Sequence, residues 1–525
     1  MGRFTTLCVI LILMTLTLAK PQAAFQEVQP TMSRFKISSN HLQSDSEIIG
    51  FSTNKLLSTI DSSYAHHVEP TLALSDNDTL FVGWKNSETV IGGGARVSFV
   101  KSSDGGLHWT NPFDMPMFNV TILQNQFGLA SEPGTITRQS DPWLFWHDET
   151  LFYAYLEFAP DLPEFSQITV ARSNDGGNTW MPVTASYGKG FADKETMWVH
   201  SDGTVYVAYD DIDQQGNVTI QVARSNDNGE SFDNIGVVGP TDPGHLAPYI
   251  TTNSEGHVYV ASTWFTKVGG TILLTKSENM GVSFGDQKII NHEFHSAFTS
   301  IGGRPSKGTI PVLRFDQNDR LYVLFADTYE PEGHTFDIYL RYSDDYGESW
   351  SKRILMNPIE DGDQWQPDMD IDSEGTLHIT YYDERDGFYR PYYRTVKFTG
   401  KSKNEPLMSE PIAIADTNTS SEFTRPGDYF TIRLDSSDIP HVVWTDGRND
   451  EMDIFYAHGV LPISTTTTST TTTTILTTTS PTTTSMLTNT TKIPNSGIIE
   501  LFLGIGVGLT IVCVVVVLVY YRTKL

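Results

Sequence analysis

The chain has 525 residues, a formal net charge of −28 and two cysteines. So acidic a protein is repelled by phosphate backbones and by anionic lipid headgroups, and neither nucleic acid nor an anionic lipid surface is expected as a partner. Cys8 and Cys513 lie near the two ends, so the long region between them must be stabilised by a hydrophobic core and not by disulfides.

The first residues have the layout of a secretory signal peptide. Arg3 precedes an apolar run from Leu7 to Leu18, and small residues follow at Ala19, Ala23 and Ala24. The run is too short for a spanning helix, and small residues suit a cleavage site. We therefore predict that residues 1–24 are a signal peptide and that the body of the protein lies outside the cell.

Residues 45–461 contain one pattern seven times over. Each copy has a short apolar strand, a turn with Asp, Asn or Gly, and a second strand of alternating polarity, which is typical of antiparallel sheets. The second strands end at Trp84, Tyr155, Tyr209, Ser262, Phe325, Tyr381 and Trp444, spaced 53 to 71 residues apart. Since such a unit cannot bury both faces alone, the pattern predicts an all-β fold, a seven-bladed β-propeller with four-stranded blades.

The seventh copy shows only three strands before the pattern ends. The segment GFSTNKLLST, residues 50–59, has the character of a strand. Pairing it with the last copy would remove two exposed sheet edges. We predict that this segment supplies the missing outer strand and closes the ring.

Five copies carry a polar, glycine-rich box after their third strand. It reads SNDGGNTW from Ser173, and related boxes begin at Ser102, Ser225, Ser277 and Ser343. A carboxylate there can accept backbone N–H groups, a glycine can adopt positive φ, and an aromatic side chain can pack between sheets. The box is therefore predicted to be a structural turn and not a site of chemistry.

The C-terminal part predicts a stalk and an anchor. Residues 462–496 are dominated by threonine, which suits an O-glycosylated, mucin-like spacer or a bare disordered linker. Residues 498–521 include 21 uncharged residues from Leu501 to Tyr521, enough to span a bilayer. The tail, residues 522–525, carries Arg522 and Lys524, which places it in the cytoplasm. The expected location is the cell surface, and five N-x-S/T sequons, at Asn77, Asn119, Asn217, Asn418 and Asn489, suit a glycoprotein.

The boxes resemble the Asp-box, or BNR repeat, of the sialidase superfamily, S-x-D-x-G-x-[TS]-[WF]. The phrases FADK…VYVAY, QWQPDMDID…GTLHITYYDER and RPGDY…HVVWTDGR extend the likeness to secreted sialidase-like proteins over about residues 50–460. The resemblance implies boxes between the third and fourth strands, an active site on the opposite face, and glycans or glycoproteins as partners. Sialidases use three arginines, a Tyr/Glu pair and an Asp acid/base. This chain lacks the F/Y-R-I-P motif of the first arginine and has seven units where sialidases have six, so the reaction stays open.

Acidic residues occupy five of the seven positions that lie two residues after the end of a second strand. The seven positions hold Asn86, Glu157, Asp211, Trp264, Asp327, Asp383 and Asp446. We predict that they converge on the axis at the face opposite the boxes. In two units an arginine follows at the same offset, giving the pairs Asp383/Arg385 and Asp446/Arg448.

The segments that lead into the blades add further charged and polar residues to this face. They are Arg138, Asp141, Asp193, Lys194, His245, Arg304, Lys307, Gln364, Gln366, Arg425, Asp428 and Tyr429. Paired carboxylates are what glycoside hydrolysis requires, and arginines suit carboxylates or sugar hydroxyls. The candidate catalytic residues are Asp383, Asp446, Tyr429, Glu157 and Asp211. The candidate ligand-binding residues are Arg138, Arg304, Arg425, Arg385, Arg448, Asp327 and Asp428.

Other interpretations fit the same residues. An Asp-x-Arg sequence at a strand end often makes a local salt bridge. An acid ring can hold a structural cation such as calcium, for which DMDIDSEG around Asp370 and Asp372 is suggestive, although no cofactor is required. Two functions therefore remain: a cell-surface propeller that binds or hydrolyses glycans, or a non-catalytic adhesion, receptor or protein-interaction module on a stalk.

Overall fold

The computed structural model describes most of the predicted propeller. The described residues are 48–58, 64–88, 93–117, 138–159, 162–186, 190–266, 269–294, 300–301, 304–305, 310–328, 336–358, 362–385, 387–399, 405–419, 426–449 and 451–462. The predicted signal peptide, nearly all of the stalk, and the predicted membrane helix and tail lie outside these ranges. Within them every regular element is a strand, and no helix is long and apolar enough to cross a membrane.

The first four blades are antiparallel sheets of four consecutive strands each. Blade one comprises β3 (His66–Leu74), β4 (Leu80–Ser87), β5 (Arg96–Ser102) and β6 (Phe113–Asp114). Blade two comprises β7 (Arg138–His147), β8 (Thr150–Ala159), β9 (Leu162–Ser173) and β10 (Met181–Thr184). Blade three comprises β11 (Phe191–Val199), β12 (Val205–Ile212), β13 (Val218–Ser225) and β14 (Asp233–Asp242). Blade four comprises β15 (His245–Thr252), β16 (Val258–Thr266), β17 (Gly269–Ser277) and β18 (Lys288–Phe294).

The remaining strands form three more blades and one small hairpin, β19 (Ser300–Ile301) with β20 (Arg304–Pro305). Blade five comprises β21 (Val312–Phe315), β22 (Leu321–Thr328), β23 (Phe336–Ser343) and β24 (Ile354–Leu355). Blade six comprises β25 (Gln364–Ile371), β26 (Leu377–Asp383), β27 (Arg390–Lys397), β28 (Leu407–Met408) and β29 (Ile412–Ala413). Blade seven comprises β30 (Thr431–Leu434), β31 (Pro440–Asp446), β32 (Asp453–Val460), β1 (Gly50–Phe51) and β2 (Lys55–Leu56).

The first strand of each blade lies at the centre of the molecule. The first strands contact one another in a closed cycle, β3–β7–β11–β15–β21–β25–β30, and β30 contacts β3 again. The predicted seven-bladed propeller of four-stranded blades is thereby confirmed. All seven second-strand ends are buried, as a position between neighbouring sheets requires.

The ring is closed by the segment that the sequence predicted. β1 and β2 both pair antiparallel with β32, so the first described strands complete the last blade. The amide of Leu57 also donates to the carbonyl oxygen of Ile454 at 2.8 Å. Because the first and last strands of the propeller share one sheet, opening the ring requires breaking this blade.

The boxes are turns, as predicted. In the second box the Asp175 carboxylate accepts the amides of Asn178 at 3.0 Å and Thr179 at 2.8 Å. Gly177 has a φ of 81°, and the Trp180 ring packs edge-on against Phe99 of the preceding blade at 5.3 Å. Each box turn follows the end of a third strand. The first and third strands of a blade run in the same direction, so both start at the other end of the sheet. The boxes therefore lie on the face opposite the starts of the first strands.

Candidate functional site

The first strands share an irregularity near their starts, at the centre of the face opposite the boxes. In five blades the pairing register shifts there, and the residue at the shift has a positive φ. These residues are Glu69, Asp141, Lys194, Ala247 and Gln366, with φ between 46° and 59°. A bulge of this kind redirects a side chain and often occurs next to a functional site.

Two of these residues share one buried ammonium group. The Nζ of Lys85 lies 2.5 Å from the Glu69 carboxylate and 3.9 Å from that of Asp141. All three side chains are almost fully buried. Blades one and two are therefore joined at the axis by charge.

A second ammonium group joins three blades. Lys194 of blade three forms an ion pair with Asp428 of blade seven, and its Nζ lies 3.9 Å from Asp141 of blade two. Burial disfavours the ammonium form, but Asp428 and Asp141 outweigh this effect and raise the pKa of Lys194. Lys194 is thus the counter-ion of two carboxylates that belong to different blades.

Neighbouring carboxyl groups in this site have opposite pKa shifts. Burial and then the Asp141 charge raise the pKa of Asp193 to about 7. Burial also acts on Asp141, but Lys194 and Lys85 hold the pKa of Asp141 below its ordinary value. At neutral pH Asp193 keeps a proton part of the time while Asp141 is ionised, and this is the division of roles in an acid/base pair.

Two further acids lie deeper in the same site. Glu195 is 2% exposed, and neither of its carboxyl oxygens has a hydrogen-bond partner among the described residues. Asp210 is equally buried, and one of its oxygens accepts the amide of Ala247 at 3.1 Å. Burial raises the pKa of both carboxyl groups well above the usual range. The axial cluster, as we name it, consists of Glu69, Lys85, Asp141, Asp193, Lys194, Glu195, Asp210 and Asp428.

Aromatic side chains pack beside the axial cluster. The Trp143 ring meets Tyr249 of blade four at 5.6 Å and Tyr429 of blade seven at 5.8 Å, both edge to face. These rings line a small cavity of about 30 Å³, which also contacts Asp428 and Gln366. A cavity of this size holds a water molecule or one ligand hydroxyl group.

Two arginines lie next to these rings and are occupied. Arg433 donates to Asp368 at 3.0 Å, and Arg314 lies 3.7 Å from the same carboxylate and donates to the Tyr249 hydroxyl. Asp368 is 6% exposed. Both guanidinium groups therefore share one buried carboxylate.

The two predicted Asp-x-Arg pairs are local salt bridges. Arg385 donates to both oxygens of Asp383, at 3.0 and 2.7 Å. Arg448 donates to Asp446 at 2.6 Å and also binds Asp416. The structure thus supports the local interpretation of their geometry, whereas the predicted catalytic role of the two aspartates remains a prediction.

The predicted convergence of the second-strand acids on the axis is not seen in their hydrogen bonds, which are local. Each lies one residue beyond the position that Lys85 and Asp210 of the axial cluster occupy on their second strands, so its side chain leaves the opposite face of the sheet. Glu157 accepts from Gln139 and Gln167 of its own blade, at 3.3 and 2.8 Å. Asp211 accepts the amide of Gly190 at 2.8 Å, and Asp327 binds Asn291 at 3.0 Å and Arg353 at 2.7 Å.

The structure places the other predicted site residues in different parts of the molecule. Asp428 belongs to the axial cluster, and Tyr429 adjoins it, with its hydroxyl donating to the carbonyl oxygen of Pro142 at 3.0 Å. Burial raises the pKa of Tyr429, which opposes a role as a phenolate nucleophile. Arg138 forms an ion pair with the exposed Glu88 at 2.5 Å. Arg304 belongs to strand β20, and Arg425 and Lys307 lie outside the described residues.

Sequence reasoning missed half of the axial cluster, namely Glu69, Lys85, Glu195 and Asp210. A signal was present, because an X-Pro pair recurs at the start of the first strand. It reads Glu69-Pro70, Asp141-Pro142, Ala247-Pro248, Ile310-Pro311 and Gln366-Pro367. Aligning these prolines identifies the positive-φ bulge residue in four blades, namely Glu69, Asp141, Ala247 and Gln366.

The described residues contain no group of three or more His, Cys, Asp or Glu side chains placed to hold a metal ion. Of the two acids considered for calcium, Asp370 accepts the amides of Ile371 and Leu434 at 3.1 and 3.0 Å. Asp372 accepts the amides of Glu374 and Thr376 at 2.9 and 2.7 Å. Both carboxylates therefore cap backbone amides, while calcium binding stays an untested prediction.

No family model and no curated protein matches the chain. Solved structures similar to it include a Hadza microbial sialidase, 17% identical with a TM-score of 0.43 over 62% of this chain and 66% of that one. Trypanosoma rangeli sialidase is 12% identical with a TM-score of 0.45, and the match covers 79% of this chain and 60% of the enzyme. An alpha-L-arabinofuranosidase from Fusarium graminearum is 12% identical with a TM-score of 0.43, over 78% and 98%. At such similarity, activity has to be argued from the site itself.

Proposed function

We propose that this protein binds and hydrolyses glycans at the axial cluster. The observation that carries the proposal is the pair Asp193 and Asp141. Burial and the Asp141 charge raise the pKa of Asp193 to about 7, while two ammonium groups keep the neighbouring Asp141 ionised. Glycosidases need one carboxylic acid and one carboxylate at the scissile bond.

In the proposed reaction Asp193 gives its proton to the glycosidic oxygen as the bond from that oxygen to the anomeric carbon breaks. Asp141 stabilises the positive charge that develops on the sugar ring. Water supplies the hydroxyl group of the product, and its proton returns to Asp193. Lys194 keeps Asp141 ionised and pairs with Asp428, and the rings of Trp143 and Tyr429 offer apolar surface to the sugar.

The test is hydrolysis of a broad panel of fluorogenic glycosides by the purified full chain. Asp193→Asn and Asp141→Asn should each lower kcat/KM at least a hundredfold, because each removes one member of the pair. Glu278→Gln, an exposed substitution on the box face, is the matched control and should retain activity. Flat progress curves across the panel contradict the proposal, and loss in Asp383→Asn alone would move catalysis to the second-strand ends.

Non-catalytic binding is the second candidate function. It is favoured by the local pairing of Asp383 with Arg385 and of Asp446 with Arg448, which leaves these residues as scaffold. A rigid disc on a stalk then serves adhesion or reception through a glycan or a surface protein. Binding to glycans or whole cells without turnover would select this function.

We also propose display at the cell surface, from the predicted signal peptide, residues 1–24, and membrane helix, residues 498–521. The sequon residues Asn77 and Asn418 are exposed, as glycosylation requires. Protease treatment of intact cells should release the propeller and leave a short membrane-bound fragment. Protection of the propeller from protease would contradict surface display.

A further inference from the structure

The balance of charge at the axis bears on the kind of sugar that fits there. The axial cluster contains six carboxyl groups and two ammonium groups, and only Asp193 and Lys194 are more than slightly exposed. Burial raises the pKa of Glu69, Asp193, Glu195 and Asp210, and Lys85 and Lys194 lie against Glu69, Asp141 and Asp428. A ligand carboxylate would therefore find no unpaired positive charge in the axial cluster, and burial weakens the screening of its own charge by water.

Neither ammonium group is available to a ligand carboxylate. Lys85 lies between Glu69 and Asp141, and Lys194 between Asp428 and Asp141. A ligand carboxylate would have to displace one of these buried acids and leave it without a counter-ion. An unpaired buried charge is among the costliest changes in a protein interior.

The arginines placed by the structure are occupied as well. Arg314 and Arg433 bind Asp368, Arg385 binds Asp383, and Arg448 binds Asp446. Arg138 binds Glu88. Among the arginines whose side chains the structure describes on this face, none is presented to the axis with its guanidinium uncommitted.

The unpaired carboxyl group of Glu195 points to the chemistry that does fit. Its two oxygens are buried and accept no hydrogen bond from another residue in the described part of the chain. A protonated carboxyl group can donate one hydrogen bond and accept others, which suits the hydroxyl groups of a sugar. Gln366 adds a buried carbonyl oxygen, Oε1, which also has no partner there and lies at the cavity beside Trp143.

We propose that the axial site accepts an uncharged terminal sugar, recognised through its hydroxyl groups and stacked on an aromatic ring, and that it excludes sugars that carry a carboxylate. The inference rests on the proposed function and names its substrate class. It sets the site apart from sites built around arginines.

The test compares sugars that differ only in charge. Two pairs are used, the glucoside with the glucuronide and the galactoside with the galacturonide. In each pair the neutral sugar has a CH₂OH group where the acidic sugar has a carboxylate. Binding of each methyl glycoside, and of a sialoside, to the full chain is measured by calorimetry. In whichever of the two pairs shows binding, the neutral glycoside should bind at least tenfold more tightly than the acidic one. The sialoside should bind more weakly than that neutral glycoside.

Substitutions then locate the source of the preference. Asp428→Asn removes one negative charge at the axis. It should reduce the ratio of the affinity for the neutral glycoside to the affinity for the acidic one. Asp141→Asn serves the same purpose if the first variant does not fold. Glu278→Gln removes the same charge on the opposite face and should leave the ratio unchanged.

The outcomes separate the inference from the function on which it rests. Equal or tighter binding of the uronide or the sialoside overturns the inference but supports a glycan site. Failure of all the sugars to bind overturns both. A ratio that narrows equally in Asp428→Asn and Glu278→Gln would trace the preference to net charge and overturn the assignment to the axis.

Discussion

Lys194 in the third blade forms an ion pair with Asp428 in the seventh, and this contact reaches across the propeller between blades that are not neighbours. Asp141 of the second blade lies 3.9 Å from the same ammonium group. One side chain therefore neutralises acids from two other blades, and the centre of the ring depends on it.

Lys194→Met should destabilise the protein by roughly 3 kcal/mol, because it leaves two buried carboxylates without their shared counter-ion. Urea unfolding measures the loss. Lys276→Met is the matched control, because Lys276 pairs with the exposed Glu278 and surface pairs contribute about 1 kcal/mol or less. An equal loss of unfolding free energy in the two variants would show that the axial ion pair contributes no more than a surface ion pair.

The stability of the wild type should fall between about pH 4 and pH 7 through Asp193. Burial raises the pKa of Asp193 in the folded state to about 7, so the folded protein holds a proton that the unfolded chain has lost. The contribution is complete below the unfolded pKa and disappears as pH approaches the folded one. Relative to Asp193→Asn, the wild type should lose roughly 3 kcal/mol across this window. Parallel curves of unfolding free energy against pH for the two proteins would contradict the assignment.

Asp175→Ala in the second box should cost about 1–2 kcal/mol of stability, because the amides of Asn178 and Thr179 lose their acceptor. Asp175→Asn should cost much less, since Asn279 occupies the same position in the fourth box and accepts the amide of Ser283 at 2.9 Å. Thermal unfolding ranks the variants, and neither should alter glycan binding. A binding defect in a stable Asp175 variant would assign a functional role to the box face.

Leu57→Ala should destabilise the closing blade by about 2–4 kcal/mol, because Leu57 is 4% exposed and packs into the core between blades one and seven. Ile49→Ala, directly before the same segment, removes a side chain that is 62% exposed and should change stability little. Light scattering on heating should show earlier aggregation for Leu57→Ala than for Ile49→Ala, since opening exposes the edge of β32. Similar behaviour of the two would mean that the segment is not needed for closure.

The repeat pattern was sufficient to predict the fold. Three features recur in register and depend on local sequence: alternating polarity, apolar strand ends such as Trp84 and Trp444, and the boxes. Together they predict the number of blades, the strand order and the closure by residues 50–59. The box itself, Ser173 to Trp180, is satisfied by hydrogen bonds and packing within reach of a few residues, which is why its role could be predicted.

The site depended on contacts that no local pattern encodes. The sequence by itself determined that acids recur at the strand ends, but Asp383 and Glu157 are held within their own blades. Only the tertiary structure decided that Glu69, Asp141, Lys194 and Asp428, spread over 360 positions of the chain, share one buried centre. Bulges at the first strands carry Glu69, Asp141 and Lys194, and burial there raises the pKa of Asp193 to about 7. Strand order follows from local sequence, whereas burial and charge at the axis follow from closing the ring.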